Sequence, residues 1–343
     1  MDTHVIELIV GTYTESGGQG LYPLSYAPAT DSWSVGTPEA VFANASFGVR
    51  ASANGLLYLV DEHAGSVVAC RRIADGWQRL AIATTGGAAP CHLALHPDGR
   101  WLAVANYESG SIAVLALDPA GLPHGPMALQ RLDGSGPDHA RQQGPHAHWV
   151  GFDDDGRSLI AVDLGTDRIL RYRVHAATGA LGNAAIAYTA PGGSGPRHLL
   201  FHPHLPMAYL ASEMAATITV LHRDGTGFAA GASVPTLAGS FAGRNLAGGM
   251  ALNRAADRLY VGNRGHDSVA IFALDGSGAP TPIGQVPSGN TSPRFLFVLD
   301  VVARLLVAHE GGDTVTAFTI QPDGTLTDPI AIAIPGAAFI ALA

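Results

Sequence analysis

Short apolar runs of four to six residues, some alternating and some continuous, recur along the whole chain between turns rich in glycine, proline and aspartate. Trp101-Leu-Ala-Val-Ala, Leu259-Tyr-Val and Arg304-Leu-Leu-Val-Ala are examples. Such runs are too short for helices, and neither heptads nor 3.6-residue apolar stripes accompany them, so the pattern predicts an all-β chain.

The runs are organised in a seven-fold internal repeat. Apolar anchors fall at Leu21, Val67, Ile112, Ile169, Ile218, Val269 and Val315, separated by 46, 45, 57, 49, 51 and 46 residues. That period suits a four-stranded propeller blade. The third unit shows the grammar plainly. Cys91-His-Leu-Ala-Leu reads as strand a, His96-Pro-Asp-Gly-Arg100 as a turn and Trp101-Leu-Ala-Val-Ala as strand b. Asn106-Tyr-Glu-Ser-Gly is a second turn and Ser111-Ile-Ala-Val-Leu is strand c. The fourth strand of each unit has the weakest pattern, as expected of an outer edge.

The first unit opens at Glu7-Leu-Ile-Val-Gly-Thr, which already reads as strand b, so it lacks an innermost strand. The C-terminal Ala337-Ala-Phe-Ile-Ala-Leu-Ala is expected to supply it, closing a seven-bladed β-propeller and removing the unpaired edge of an open array. Residues 1–343 are therefore expected to form a single propeller domain.

Within this register two positions vary in a chemically pointed way. One lies 21 residues before each of the last six anchors and holds Ser46, Cys91, His148, Arg197, Gly248 and Arg294. The other lies 5 before it and holds Glu62, Tyr107, Leu164, Glu213, Arg264 and Glu310. The first starts strand a and the second ends strand b. Antiparallel pairing brings both to the same end of the blade, beside the expected central channel. His148, Arg197, Glu213 and Arg264 are thus expected to line one funnel, with Arg294 and Glu310 in the same positions of the seventh unit. A single turn arginine or glutamate is usually a solvated rim residue; convergence of four argues for chemistry. His146 and His148 share a side of the strand by the two-residue period, which makes a metal conceivable. No third ligand with suitable spacing follows, and a metal-free acid/base role ranks above it. His92 and His96 read as framework, His198 as framework that also faces the substrate, and His175, His204 and His222 as surface residues.

Composition narrows the partners. A net charge of −9 and the lack of any basic stretch interleaved with aromatics make nucleic acid and membrane improbable partners. All 19 basic residues are arginine, which excludes lysine Schiff-base chemistry and leaves arginine as the fixed cation for an anionic ligand. The N-terminus has no basic segment followed by an apolar one, and no run approaches the ~20 apolar residues of a membrane span, so a cytoplasmic protein is expected. Cys70 and Cys91 do not make a disulfide framework; Cys91 reads as a small buried residue in strand a.

The chain resembles the seven-bladed lactonase propeller family, which includes propeller-type 6-phosphogluconolactonases and 3-carboxy-cis,cis-muconate lactonizing enzyme. The resemblance rests on Val10-Gly-Thr-Tyr-Thr, Arg141-Gln-Gln-Gly-Pro-His-Ala-His148, Asp163-Leu-Gly-Thr-Asp-Arg168, Gly195-Pro-Arg-His198, Ser212-Glu213 and Gly262-Asn-Arg-Gly-His-Asp-Ser268, and it covers essentially the whole chain. It implies a His, two Arg and a Glu in lactone chemistry, which fall on His148, Arg197, Arg264 and Glu213. Arg141, His146, His198, Arg294 and Glu310 are expected to bind substrate. The seventh unit departs from the family pattern, with His309-Glu310 where Asn-Gln is common. The expected function is hydrolysis of a sugar lactone, 6-phosphogluconolactone or a related aldonolactone, with an anionic substrate and no cofactor. Glu213 serves as base and His148 as proton donor, or the reverse, while the two arginines hold the oxyanion. Two alternatives compete: a muconate-type lactonizing enzyme and a non-enzymatic binding scaffold.

Overall fold

A computed structural model describes residues 4–343 of the chain. Its described residues form 28 strands and three short 3₁₀ helices. The strands make seven four-stranded sheets, and in six of them the four strands are consecutive in sequence. The seventh has Ala337–Leu342 beside Ile6–Thr12, Leu21–Ala27 and Ser32–Val35. The C-terminal strand is therefore the innermost strand of the first blade, in antiparallel register from Leu8–Leu342 to Thr12–Ala337. The fold is a seven-bladed β-propeller.

Strand boundaries follow the apolar runs closely. In blade 3, strands a, b and c are Pro90–Leu95, Trp101–Asn106 and Ser111–Leu117. The outer strands have the weak apolar pattern expected of an edge and are nevertheless long. Those of blades 2 to 7 run for eight or nine residues and are among the longest. One of their faces meets solvent, which dilutes the apolar signal, whereas the backbone ladder that fixes their length needs no apolar side chain.

The described residues divide into two compact units, one of residues 4–43, Leu200–His222 and Ala230–Ala343, the other of Asn44–Leu199 and Arg223–Ala229. Each has apolar layers between facing blades. In the first unit Leu8, Val10 and Ile340 of blade 1 pack with Leu306, Ala308 and Val315 of blade 7. In the second, Trp101, Ala103 and Val114 of blade 3 pack with Val150, Leu159 and Ala161 of blade 4. Tyrosines strap neighbouring blades together. Tyr209 donates its hydroxyl proton to the Gly278 carbonyl at 2.7 Å and Tyr260 to that of Gly324 at 3.0 Å. Tyr58 does the same to Gly121 at 2.6 Å. Burial pushes the Tyr209 and Tyr260 phenols up to about 12, so they remain donors over the whole working range.

Candidate active site

In both units the register brings the start of strand a next to the end of strand b. Ala147 pairs with Asp163 in blade 4, Pro293 with His309 in blade 7 and Pro90 with Asn106 in blade 3. The residue after each of these strand a partners is an unpaired bulge residue, since the register resumes at Trp149, Phe295 and His92. His148, Arg294 and Cys91 therefore sit on β-bulges. A bulge leaves its extra residue outside the ladder and re-aims its side chain, which accounts for the chemical variety at this position. Gly248 lies in the bulged segment of blade 6, and a Cβ there would meet the Pro293 carbonyl oxygen at 2.5 Å.

In the first unit four of the anticipated residues form one chain of ion pairs. Glu213 Oε2 accepts from Arg264 Nη2 at 2.6 Å, Arg264 Nη1 donates to Glu310 Oε1 at 3.1 Å, and Arg294 Nη1 donates to Glu310 Oε2 at 2.7 Å. The Arg294 guanidinium also lies 5.3 Å from the centre of the Tyr13 ring. Ser292 Oγ donates to Glu310 Oε1 at 2.9 Å, and Arg264 Nη2 also donates to the Ala247 carbonyl at 3.3 Å. Glu213 is 3 % exposed, and the Arg264 side chain is 12 % exposed. Burial by itself would weaken the Arg264 charge, but the carboxylates of Glu213 and Glu310 outweigh it and raise its pKa. The buried Nε–H of Arg264 has no hydrogen-bond partner among the described residues.

The second unit holds a cluster of aromatic and cationic groups. The His148 ring meets Tyr107 edge-on at 5.4 Å and His198 edge-on at 5.1 Å. His146 stacks on the same tyrosine at 4.5 Å, and its Nδ1 lies 3.1 Å from the Tyr107 carbonyl oxygen. Arg141 Nη2 donates to the Tyr107 hydroxyl at 3.3 Å. Arg197 is 1 % exposed, with Nη1 at 2.8 Å from His198 Nε2. Behind this group His92 stacks on Phe47 at 4.1 Å and tilts against Trp149 at 5.4 Å. Burial, reinforced by the nearby Arg197 charge, pushes the His92 imidazole down to about 3, so it is neutral. The Cys91 thiol lies 3.6 Å from the carbonyl oxygens of Ala147 and His148, bracing the bulge that carries His148.

The residues that hold these side chains in place come from the second turn of each blade. Asp163 accepts from the backbone N–H of His146 at 2.7 Å, that of Gly165 at 3.0 Å and the Thr166 hydroxyl at 2.6 Å. Asp167 accepts from the N–H of Gly193 at 2.7 Å and of Gly195 at 2.8 Å, which fixes the segment leading to Arg197. Asp267 accepts from the Ser292 N–H at 2.8 Å and so fixes the approach to Arg294. Gly165 is needed for close approach, because a Cβ would lie 1.9 Å from the Gly144 carbonyl oxygen. The Asp-Leu-Gly-Thr-Asp run is thus a support for His148 and Arg197 and does not itself enter the cluster.

The family model described as "Lactonase, 7-bladed beta-propeller" matches residues 7–341. The chain belongs to this family. It is 30% identical over 338 residues to the 6-phosphogluconolactonase of Bacillus subtilis, covering 95% of each chain. The solved structure of the periplasmic gluconolactonase of Pseudomonas aeruginosa superposes with a TM-score of 0.92 at 28% identity, covering 99% of each chain. A solved protein from Lactobacillus plantarum is 25% identical with a TM-score of 0.89, over 98% of this chain and 99% of that one.

For a chain of the lactonase family, the repeat register picks out the marker residues and carries no signal for their supports. Tyr107 stands at a marker position, yet its part as the surface shared by His146, His148 and Arg141 has no sequence signal. Asp163 and Asp167 belong to a family motif, but only the hydrogen bonds show what they do. Among the described residues no helix is long and apolar enough to cross a membrane, and no group of three or more His, Cys, Asp and Glu side chains is arranged to hold a metal ion.

Proposed function

We propose that this member of the lactonase family hydrolyses the ring ester of a sugar lactone, with His148, Arg197, Glu213 and Arg264 as the catalytic residues. The observation that carries the reading is a buried carboxylate, Glu213, held 2.6 Å from a guanidinium that keeps one buried donor unsatisfied. Lactone hydrolysis asks for such a set: a base for water, donors for the oxyanion and an acid for the leaving oxygen. Glu213 takes a proton from water as its oxygen adds to the carbonyl carbon. Arg197 and Arg264 are the guanidinium donors proposed for the tetrahedral oxyanion that results, and the buried Nε–H of Arg264 is a donor whose desolvation has already been incurred in the fold. Collapse of this intermediate breaks the bond to the ring oxygen, and His148 donates the proton that makes it a hydroxyl. Arg141, His146 and His198 border the substrate, and the chemistry needs no metal or cofactor.

The names carried by the Bacillus subtilis and Pseudomonas aeruginosa relatives support this reaction class. A cytoplasmic setting and a single propeller domain belong to the same reading; the two buried thiols, Cys70 and Cys91, suit a reducing compartment. The test is a panel of γ- and δ-lactones, with and without phosphate, followed by proton release. Glu213→Gln should lower turnover by about 10²–10⁴-fold with the fold intact, the range of a positioned acid or base. Wild-type turnover in that variant would remove Glu213 from the mechanism, and failure of every lactone to release protons would remove the function.

A further inference from the structure

The ion-pair chain of the first unit bears on which lactone is accepted, and the inference rests on the lactonase reading. Glu310 sits between two guanidinia and uses one carboxylate oxygen on each, at 3.1 Å from Arg264 and 2.7 Å from Arg294. Glu213 takes the other arm of Arg264 at 2.6 Å. The four residues therefore carry two positive and two negative charges. None is solvated enough to be screened away, with side-chain exposures of 12% for Arg264, 14% for Arg294, 20% for Glu310 and 4% for Glu213. Ser292 Oγ, at 2.9 Å, and the Tyr13 ring under Arg294 hold Glu310 and its partner in this arrangement.

We infer that Glu310 is a specificity-determining residue that quenches the Arg264–Arg294 pair, so that the enzyme takes an uncharged, polyhydroxylated lactone in preference to a phosphorylated one. A phosphate ester brings a charge of roughly −1.5 to −2 at neutral pH and needs guanidinium donors that are not already matched. Here the paired arginines would have to release a carboxylate to meet it, and the dianion would lie beside Glu213 and Glu310. A neutral lactone meets no such repulsion, and its hydroxyl groups can donate to the same carboxylates. This replaces the expectation of an anionic substrate drawn from the arginines alone. The sequence shows two cations at marker positions, and the fold pairs each with a carboxylate.

The experiment compares kcat/KM for glucono-1,5-lactone and 6-phosphogluconolactone in the wild-type enzyme and in Glu310→Gln. Calorimetric titration of both proteins with inorganic phosphate runs alongside. The wild type should favour the unphosphorylated lactone by at least about 10-fold and bind no phosphate in the millimolar range. Glu310→Gln should shift the ratio toward the phosphorylated lactone by about 10-fold or more and gain measurable phosphate binding. Preference of the wild type for the phosphorylated lactone, phosphate binding by the wild type, or an unchanged ratio in Glu310→Gln would each overturn the inference. Should neither lactone be hydrolysed, the lactonase reading fails, and the two phosphate titrations still decide whether Glu310 blocks an anion site. The wild-type arms also stand by themselves if Glu310→Gln does not fold.

Discussion

His92 should make the stability of this protein fall on mild acidification by an amount that the structure sets. Its imidazole lies between Phe47, Trp149 and His198, with Arg197 close by. Burial, then the Arg197 charge, lowers its pKa from 6.5 to about 3. The folded-state value is the depressed one, so the stabilisation is complete above the unfolded value and is lost as pH falls through the window between the two. Below pH about 6.5 the unfolded chain takes up a proton that the folded chain refuses. With those two values, stability should drop by about 2 kcal/mol between pH 7.5 and 5.0, and the folding equilibrium by a further factor of roughly ten for each unit down to pH about 3. His92→Phe keeps an aromatic ring against Phe47 and gives up only a long contact, the Val150 N–H at 3.5 Å. Urea unfolding of both proteins at the two pH values isolates the effect. The variant should lie within about 1.5 kcal/mol of wild type at pH 7.5 and recover about 2 kcal/mol of the acid loss. His309, also pushed down by burial, should leave a residual slope of the same sign in the variant. An identical pH dependence in wild type and His92→Phe would show that His92 is not held neutral and would refute the reasoning.

Other outcomes follow from the same geometry. Arg264→Ala should lower kcat and raise KM together, since it removes the proposed oxyanion donor and the partner of both Glu213 and Glu310; an effect on KM alone, read from initial rates, would confine Arg264 to binding. Asp163→Ala strands two backbone N–H groups and the Thr166 hydroxyl, which at about 1–3 kcal/mol each before relaxation should cost on the order of 3–5 kcal/mol in urea unfolding; a change below about 1 kcal/mol would mean that the turn finds other acceptors. Prolonged treatment with a chelator should leave lactone hydrolysis intact, and a loss restored by a divalent ion would return His146 and His148 to consideration as metal ligands.

The alternation of apolar and polar residues and the repeat spacing were enough to determine an all-β chain, the number of blades and the completion of the first blade by Ala337–Leu342. The same register also placed Arg294 next to Glu310, because antiparallel pairing of strands a and b follows from the repeat alone. What tertiary structure decided lies where one side chain meets another from a distant blade. The bulges under Cys91, His148 and Arg294 add one residue to a strand without altering its composition, so no periodicity reveals them. The supports from Asp163 and Asp167 depend on backbone N–H groups, which have no sequence signature. The charge state of the site is the plainest case. Arg264, Arg294, Glu213 and Glu310 read singly as cations and anions available to a ligand; folded, they direct their charges at one another, because Coulomb energy depends on distance and burial that the linear order of residues does not contain.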